Sequence, residues 1–249
     1  MDAVILSAGR ASRFGLPKFL LPAGPGYTLL TKVLKFALQT VNGRVVVVVG
    51  REGGAARYAV KTWLRPVNAP RVHLVTNPDY AAGLSTSLKR GVGQFSRSEG
   101  LLVLLADQPA LNAGKLYLLR KTYQTSSAWA VSAAENGVQK PPVCLGPALF
   151  SAVKALEGDQ GAKDLLRRYA ERVQLVEWGP GDWFTDVDTW ETYRDLIRSR
   201  EWDKEEFVPL EALSSLQELE ARLESLAQPQ AYLETLRRGV LTLLNQQDA

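Results

Sequence analysis

The fold is decided by residues 3–22, which read AVILSAGRASRFGLPKFLLP. An apolar run breaks here into a loop with two glycines, Arg10, Arg13 and Lys18, and the chain then returns to apolar residues. In open α/β sheets, ligands bind beyond the carboxyl ends of the strands, where this loop would lie. Glycine lets the backbone approach a ligand closely, and successive N–H groups can cradle phosphate oxygens. The stretch therefore predicts a first strand followed by a polyphosphate-binding loop.

The spacing of this loop excludes two familiar phosphate-binding motifs. The pattern is Gly-x5-Gly-x2-Lys and no Ser or Thr follows the lysine, so the loop is neither a Walker A motif nor Gly-x-Gly-x-x-Gly. A second glycine cluster, GREGG at residues 50–54, follows a run of valines. Its spacing does not suit a dinucleotide turn, and a tight strand-to-helix connection uses glycine anyway. This cluster is the only support for a nicotinamide-dependent oxidoreductase.

Short apolar runs recur along the chain, separated by segments with helical spacing. The runs are Val4–Leu6, Val45–Val49, Val72–Val75, Leu101–Leu105, Trp129–Ser132 and Val173–Glu177. Short, continuously apolar strands that alternate with helices indicate a mostly parallel sheet covered on both faces. We therefore predict an α/β, Rossmann-like, doubly wound domain over residues 1–199.

The composition changes at about residue 200. Two stretches with leucines three and four residues apart follow, one over residues 216–226 and one over 233–243, with Gln-Pro-Gln between them. This pattern predicts a C-terminal helical hairpin over residues 200–249. Its apolar stripe indicates either packing on its own domain or a homo-oligomer interface.

Composition limits the class of protein. The chain has 249 residues, 46% of them hydrophobic, which is enough for a full core. No run of 18 apolar residues and no basic leader are present, so we expect neither a membrane protein nor a secreted one. Cys144 and His73 are the only cysteine and histidine. Disulfide frameworks, Cys/His zinc sites and Cys-His nucleophile pairs are therefore excluded, and a cytoplasmic location fits best.

The charge is unevenly distributed. Residues 1–199 hold 25 Lys and Arg against 16 Asp and Glu, whereas residues 200–249 hold 5 against 10. A basic body suggests a nucleotide, a nucleic acid or a phosphorylated small molecule, although an ordinary solvated surface accounts for it equally well. Because no basic run is interleaved with aromatic residues, nothing supports nucleic acid.

Acidic residues follow two later segments. Asp107, in ADQP, comes directly after an apolar strand and is a candidate Mg²⁺ ligand beside substrate phosphates. Asp186 and Asp188 lie in FTDVDTWETY, residues 184–193. We expect them to point to opposite sides of an extended segment, so that only one faces the crevice. Either one could instead cap the helix that begins near Trp190.

Five ordered stretches resemble the MobA-like nucleotidyltransferases, and within them the molybdenum cofactor cytidylyltransferases. They are LSAGRASRFGLPKFLLP (6–22), NPDYAAGLSTSLKRG (77–91), ADQP (106–109), LEGDQGAKDLL (156–166) and DVDT (186–189). The resemblance covers residues 3 to about 198 and leaves out the hairpin. It implies a fold of the nucleotide-diphospho-sugar transferase type, and a reaction in which an acceptor phosphate attacks the α-phosphorus of a nucleoside triphosphate.

The resemblance also implies residue roles. Arg13 and Lys18 would be the catalytic cations; Ala8, Gly9, Arg10, Arg13, Lys18, Gly83, Ser85 and Ser87 would bind the nucleotide; Asp107 and Asp188 would bind the metal, Mg²⁺; and Gly158, Asp159 and Gly161 would lie on the acceptor side. Asp186 would brace the turn or the Mg²⁺ waters. The chemistry agrees, because nucleotidyl transfer depends mainly on positioning and cations.

Two positions depart from the family pattern. Relatives commonly have His-Pro-Val where this chain has Lys140 and Pro141, and Pro where it has Trp190. The first departure leaves the acceptor open. We expect a Mg²⁺-dependent transfer of CMP from CTP to the phosphate of molybdopterin, in support of a molybdenum hydroxylase. The alternatives are a sugar phosphate or methylerythritol phosphate acceptor, or a non-catalytic cofactor-binding module.

Overall fold

The structure is a computed structural model. It describes residues 1–9, 17–24, 26–51 and 53–201. Arg10 and Arg13 of the predicted phosphate loop and nearly all of the predicted C-terminal hairpin lie outside these residues. The predictions for them remain predictions.

The core of the fold is one sheet of seven strands. The strands are β1 (Asp2–Ser7), β2 (Val45–Val49), β3 (Val72–Thr76), β4 (Leu101–Leu105), β5 (Ala130–Glu135), β6 (Val138–Leu145) and β7 (Val173–Glu177). Their order in the sheet is β3-β2-β1-β4-β6-β5-β7, and β6 alone runs against the other six. The prediction of a mostly parallel α/β sheet is therefore confirmed.

Helices cover both faces of the sheet. They are α1 (Leu29–Thr40), α2 (Gly53–Trp63), α3 (Leu84–Val92), α4 (Ala113–Thr125), α5 (Phe150–Lys154), α6 (Ala162–Arg168) and α7 (Trp190–Ser199). Alternate residues of β1 divide between the two layers: Ala3 and Ile5 pack with α1, α2 and α4, whereas Val4 and Leu6 pack with α3, α5 and α6. This alternation is the two-residue period of a strand buried on both faces.

The valine-rich strand β2 shows why the centre of the sheet forms where it does. All five of its residues are valines, and all are buried. β-Branched side chains are restricted at χ1 and pack well on a pleated surface, so this sequence favours a central strand over a helix. Because β1 pairs with β2 on one side and β4 on the other, the chain reverses its winding direction at β1. Ligands in open α/β sheets bind at such a switch point.

The strand β6 has no counterpart among the apolar runs of the sequence. It contains Pro141 and Pro142, and proline is rarely found inside a central strand. The pairing of β5 with β6 shifts between Ser132 and Ala133 and passes over both prolines. The Ser132 hydroxyl donates at 3.1 Å to the carbonyl of Lys140 at this irregularity. The bulge thus accommodates two residues that cannot donate backbone hydrogen bonds.

The helix α7 fixes the segment that precedes it. Its N-cap is Thr189, whose hydroxyl accepts from the amide of Thr192 at 3.1 Å. Neither aspartate before it is therefore the N-cap, which corrects one possibility raised by the sequence. Val187, Tyr193 and Ile197 are buried in a small cluster that packs against residues 21–29. This packing anchors the acidic segment to the sheet.

Two further observations concern the helices and the buried cysteine. None of the helices in the part of the chain described above has the length and apolar content to cross a membrane. Cys144 is fully buried in β6, and burial raises the pKa of its thiol. A buried neutral thiol is a poor nucleophile.

Candidate active site

A crevice lies beyond the carboxyl ends of β1 and β4, at the switch point. Its volume is about 490 Å³. It is lined by Leu6, Ala8, Gly9, Tyr80, Ala81, Gly83, Leu84, Ser87, Leu105, Asp107, Asp159, Asp186 and Asp188. Each of the five sequence motifs therefore contributes at least one residue to this crevice, and the stretch 156–166 contributes Asp159.

The centre of the crevice is a lysine held between two carboxylates. The Lys18 Nζ atom donates to Asp107 Oδ2 at 2.6 Å and to Asp188 Oδ1 at 2.8 Å. The lysine and Asp107 side chains are mostly buried, whereas Asp188 is 55% exposed. Burial acts to lower the pKa of Lys18, but attraction by Asp107 and then Asp188 outweighs it, so the pKa is raised and the ammonium stays charged. The two carboxylates, which lie 89 and 170 positions after Lys18 in the sequence, thus share the charge of its ammonium group.

Asp186 and Asp188 both line the crevice, which corrects the expectation that only one of them would. In an extended segment, residues two apart share a face. The residue between them, Val187, points the other way and is fully buried. The correct consequence of the spacing is therefore a pair of carboxylates on the crevice side and an apolar anchor on the other.

Asp186 is the most perturbed carboxyl of the crevice. Its pKa is raised to about 6, first by desolvation and next by repulsion from Asp107, with a smaller effect from Asp188. A hydrogen bond from Gln108 and the charge of Lys18 act in the opposite direction. Part of the side chain remains open to solvent. Three carboxyl groups around a single ammonium make this end of the crevice suited to a further cation.

The donor set fits a hard divalent cation that is shared with a ligand. The Lys18 contacts show that one cation can reach both Asp107 and Asp188. Within the described ranges, no group of three or more His, Cys, Asp or Glu residues is placed to hold a metal. Mg²⁺ is commonly bound by one or two carboxylates together with substrate phosphates and waters. The carboxylates therefore fit Mg²⁺ or Mn²⁺ with a phosphorylated ligand completing the shell.

The Ser87 hydroxyl is oriented by a buried asparagine. Asn77 is 2% exposed, and its Nδ2 donates to Thr86 Oγ1 at 2.9 Å and to Ser87 Oγ at 3.0 Å. The backbone N–H of Asn77 donates to the carbonyl of Val49, at the end of β2. The turn Asn-Pro-Asp before Tyr80 is the sequence signal for this network. It fixes the start of α3 against the sheet.

Gly83 holds two of the predicted loops in direct contact. Its φ is +116° and its ψ 171°, a backbone region open essentially to glycine alone. A Cβ atom at Gly83 would lie 2.2 Å from the carbonyl carbon and oxygen of Gly158. The Ser85 amide donates to the same Gly158 carbonyl at 3.1 Å. The nucleotide-side and acceptor-side loops of the sequence analysis therefore touch backbone to backbone.

An apolar pocket of about 260 Å³ adjoins the crevice. The two share Leu6, Leu84, Leu105 and Asp159. The walls of the pocket are largely aliphatic, and its other polar lining residues are Ser132, Gln139, Lys140, Lys163 and Asp164. Gly161 also lines it, whereas Gly158 lines neither compartment. The Lys140 Nζ atom lies 3.8 Å from Glu135 Oε2.

Several buried polar atoms around the crevice have no hydrogen-bond partner in the described residues. They are Ser7 Oγ at the end of β1, Ser85 Oγ at the start of α3 and Gln108 Oε1 after β4. Buried polar groups are normally paired, so these atoms are available to hydrogen-bond a water or a ligand. Ser7 lines a cavity of about 30 Å³ together with Lys18 and Asp107.

The structure thus brings most of the predicted site residues together but not all of them. Ala8, Gly9, Gly83, Ser87, Asp107, Asp159, Asp186 and Asp188 line the crevice, and Lys18 bridges two of its carboxylates. Ser85 is buried away from it. The sequence analysis did not single out Tyr80, Leu84, Gln108 or Lys163, although each lies in a quoted motif. The glycine at residue 50 packs against the Tyr80 ring, which gives the GREGG cluster a structural role.

Known proteins share this sequence pattern. A family model described as a MobA-like NTP transferase domain matches residues 3–173. Purine catabolism protein PucB of Bacillus subtilis (strain 168) is 31% identical over 199 residues, covering 78% of this chain and 94% of that protein. Molybdenum cofactor cytidylyltransferase of Escherichia coli (strain K12) is 31% identical over 157 residues, covering 62% and 74%.

A third relative and a solved structure extend the comparison. Nicotine blue oxidoreductase of Paenarthrobacter nicotinovorans is 30% identical over 204 residues, covering 79% of this chain and 96% of that protein. The crystal structure of Rv0371c from Mycobacterium tuberculosis H37Rv in complex with manganese superposes with a TM-score of 0.65 at 23% identity. It covers 80% of this chain and 98% of the other. That likeness shows a shared fold.

Proposed function

The chain belongs to the MobA-like NTP transferase family, and from that premise we propose that it transfers CMP from CTP to the phosphate of molybdopterin or a closely related phosphorylated pterin. A phosphate oxygen of the acceptor attacks the α-phosphorus of CTP, the bond to the β-phosphate breaks, and pyrophosphate leaves. The observation that carries the proposal is that Asp107 and Asp188 both contact the Lys18 ammonium group at the switch point.

The residues of the crevice can supply what this reaction needs. When bound, Mg²⁺ would be held by Asp107 and Asp188 and would neutralise phosphate charge. Lys18 brings a second positive charge that stays ionised. Gly9 lines the crevice. Arg10 and Arg13 follow it in the sequence, and we propose that these cations complete a clamp on the triphosphate. Positioning and charge neutralisation account for most of the acceleration of phosphoryl and nucleotidyl transfer.

The pocket beside the crevice favours a pterin over a sugar phosphate as acceptor. Its walls are mainly aliphatic, which suits a flat heterocycle better than a polyhydroxylated sugar. Lys140 and Lys163 lie along it and can meet anionic groups of the acceptor. Asp159 lines both compartments, so an acceptor seated in the pocket would reach the crevice with its phosphate. Molybdopterin combines a heterocycle with a terminal phosphate and fits both compartments.

We expect CTP to be used in preference to GTP and ATP. The motivation is the family resemblance: cytidylyl-transferring relatives carry Ala-Ala-Gly where this chain has Ser7, Ala8 and Gly9, whereas guanylyl-transferring relatives carry Ala-Gly-Gly, which gives a purine more room. Ala8 lines the crevice. Incubation with each of the four triphosphates, Mg²⁺ and molybdopterin, followed by mass spectrometry, should give mainly the CMP adduct and pyrophosphate. A steric mismatch of this size corresponds to a preference of at least about tenfold.

Three outcomes of that experiment would contradict parts of the proposal. Equal or faster turnover of GTP would overturn the choice of CTP. Tight binding of molybdopterin without pyrophosphate from any triphosphate would favour the non-catalytic binding module. When the incubation is repeated with methylerythritol phosphate, a CMP adduct with that acceptor but not with molybdopterin would move the acceptor to the other class. As a matched variant, Ala8→Gly should narrow the CTP preference while keeping the fold.

The name of one relative suggests redox chemistry as a second candidate. Asp107 and Asp188 meet at Lys18 and suit a metal–phosphate ligand, whereas hydride transfer to or from a nicotinamide makes no use of two such carboxylates. Oxidation of NADH or NADPH in the same assay, without triphosphate, would favour that candidate.

We also propose that residues 200–249 form an extension that chemistry does not require. They lie outside the family match and outside every motif. Deleting residues 204–249 should leave turnover per folded molecule within about twofold, while changing the oligomeric state or the tendency to aggregate, because exposed leucine stripes favour association. Size-exclusion chromatography with light scattering, together with initial rates, would measure both. A folded, soluble truncation with a collapsed rate would place the extension in the active site.

A further inference from the structure

We propose that Gln108 is a positioning residue for the metal-binding carboxylates, an inference that rests on the proposed function. Gln108 directly follows Asp107 and is 1% exposed. Its Nε2 donates to Asp186 Oδ1 at 2.9 Å. Only the NH2 end of the amide can face a carboxylate, because the carbonyl end would be repelled by it. Residues 107 and 108 therefore supply a proposed metal ligand, Asp107, and a hydrogen bond from Gln108 to Asp186 in the second acidic segment.

The burial of this amide is costly, which indicates a role beyond packing. Gln108 Oε1 is buried and has no partner among the described residues, so the amide is only partly satisfied. Desolvating an unpaired amide oxygen opposes folding, and an aliphatic side chain at this depth would avoid that cost. The bond that the amide does make is to a carboxyl group, and bonds of that kind are stronger than neutral ones.

Two hydrogen bonds join the acidic segments side by side. The amide of Val187 donates to the carbonyl of Asp107 at 2.9 Å, and the Gln108 side chain holds Asp186. The Val187 side chain is fully buried on the other side, so the backbone cannot slide without opening that cluster. The side chain of Asp186, by contrast, has Gln108 as its tether. Without this tether, one of the two hydrogen bonds between the segments is lost, and Asp188 is held less firmly beside Asp107.

A positioning role makes a specific prediction about metal binding. Groups that hold or orient metal ligands typically change metal affinity or activity by 10–100-fold when removed. Gln108→Met keeps the size of the side chain and removes the bond, so it should weaken Mn²⁺ binding by roughly tenfold. Binding of the nucleotide in the absence of metal should not change, because Gln108 does not line the crevice.

The experiment measures Mn²⁺ affinity by electron paramagnetic resonance on the full chain with a non-hydrolysable α,β-methylene analogue of CTP. The variants are Gln108→Met, Asp186→Ala and the double variant. Isothermal titration with the analogue in EDTA measures metal-free nucleotide binding, and thermal melting checks the fold. We expect Gln108→Met to raise the Mn²⁺ dissociation constant and to add nothing further in the Asp186→Ala background, since the two side chains act through one bond.

Several results would overturn the inference. Unchanged Mn²⁺ affinity in folded Gln108→Met, or equal effects of that change with and without Asp186, would show that Gln108 does not act through this bond. If Gln108→Met does not fold, unchanged Mn²⁺ affinity in Asp186→Ala, altered at a partly exposed position, would have the same consequence. Failure of the parent protein to bind Mn²⁺ with any triphosphate analogue would remove the proposed function itself, and this inference with it.

Discussion

Asp107→Asn and Asp188→Asn should each lower turnover by roughly a hundredfold or more, comparable to the loss of one strong transition-state contact. Both carboxylates contact the Lys18 ammonium, at 2.6 and 2.8 Å, and so lie where a single cation reaches both. An amide keeps the shape of the side chain but removes the charge that a divalent cation needs. Asp186→Asn should cost less, because we propose that Asp186 supports the site without binding the metal.

Initial rates against Mg²⁺ concentration measure this effect, and high Mg²⁺ should partly rescue either variant. Asp182→Asn is a suitable control, because Asp182 pairs with Arg200 and does not line the crevice. Its rate should stay within about twofold of the parent, since only a peripheral ion pair is lost. Near-normal rates in Asp107→Asn and Asp188→Asn would end the metal-clamp mechanism. A larger loss at Asp186 than at Asp188 would exchange their roles.

Gly83→Ala adds one methyl group. We expect it to lower stability and activity more than any other glycine-to-alanine change in the described part of the chain. The backbone region of Gly83 costs other residues about 1–3 kcal/mol, and its Cβ would also lie 2.2 Å from the Gly158 carbonyl. Relief requires the two loops to separate, which disturbs both sides of the crevice. We expect a fall in melting temperature of about 5–10 °C, given about 2–4 °C per kcal/mol for a chain of this size, together with a large loss of kcat/KM.

Gly137→Ala is a control that separates the cost of a positive φ from the cost of a clash between the two loops. Gly137 also has a positive φ, of +73°, but a Cβ there would meet nothing within 4 Å. It lies in the turn between β5 and β6 and lines neither compartment. The left-handed conformation alone costs about 1–2 kcal/mol, so melting should change modestly and activity little. If Gly83→Ala has the same melting temperature and the same kcat/KM as Gly137→Ala, the contact between the loops contributes neither to stability nor to activity.

The layout of the fold could be read from the sequence because its strands carry a strong local signal. The five valines of β2 are too few and too β-branched for a helix, and the five-residue apolar run of β4 is too short for one. The strand β6 carries no such signal, since Pro141 and Pro142 contradict it locally. Its place in the sheet depends on a bulge opposite Ser132, a tertiary arrangement that propensity does not encode.

The candidate site was predictable as a set of motifs, but its geometry was not. Asp107 follows a strand and so had to lie at the carboxyl edge of the sheet. The distance between Asp107 and Asp188 depends on how α7 packs against residues 21–29, far away in the sequence. The roles of Gln108 and Asn77 depend on burial and on partners 78 and 10 positions away. A pattern within a single sequence reports neither the burial of a side chain nor its hydrogen-bond partner.

The Lys18 bridge has a consequence for the energetics of ligand binding. The protein supplies its own counter-ion to Asp107 and Asp188, so a divalent metal must displace an ammonium group to bind them. A triphosphate would give that ammonium a new partner and the metal further oxygen ligands. Metal and nucleotide should therefore show positive heterotropic linkage, in which each raises the affinity of the other by the same factor. If Asp107 and Asp188 bind the metal as proposed, a lysine that competes with it would make the site selective for the metal–nucleotide complex over either component.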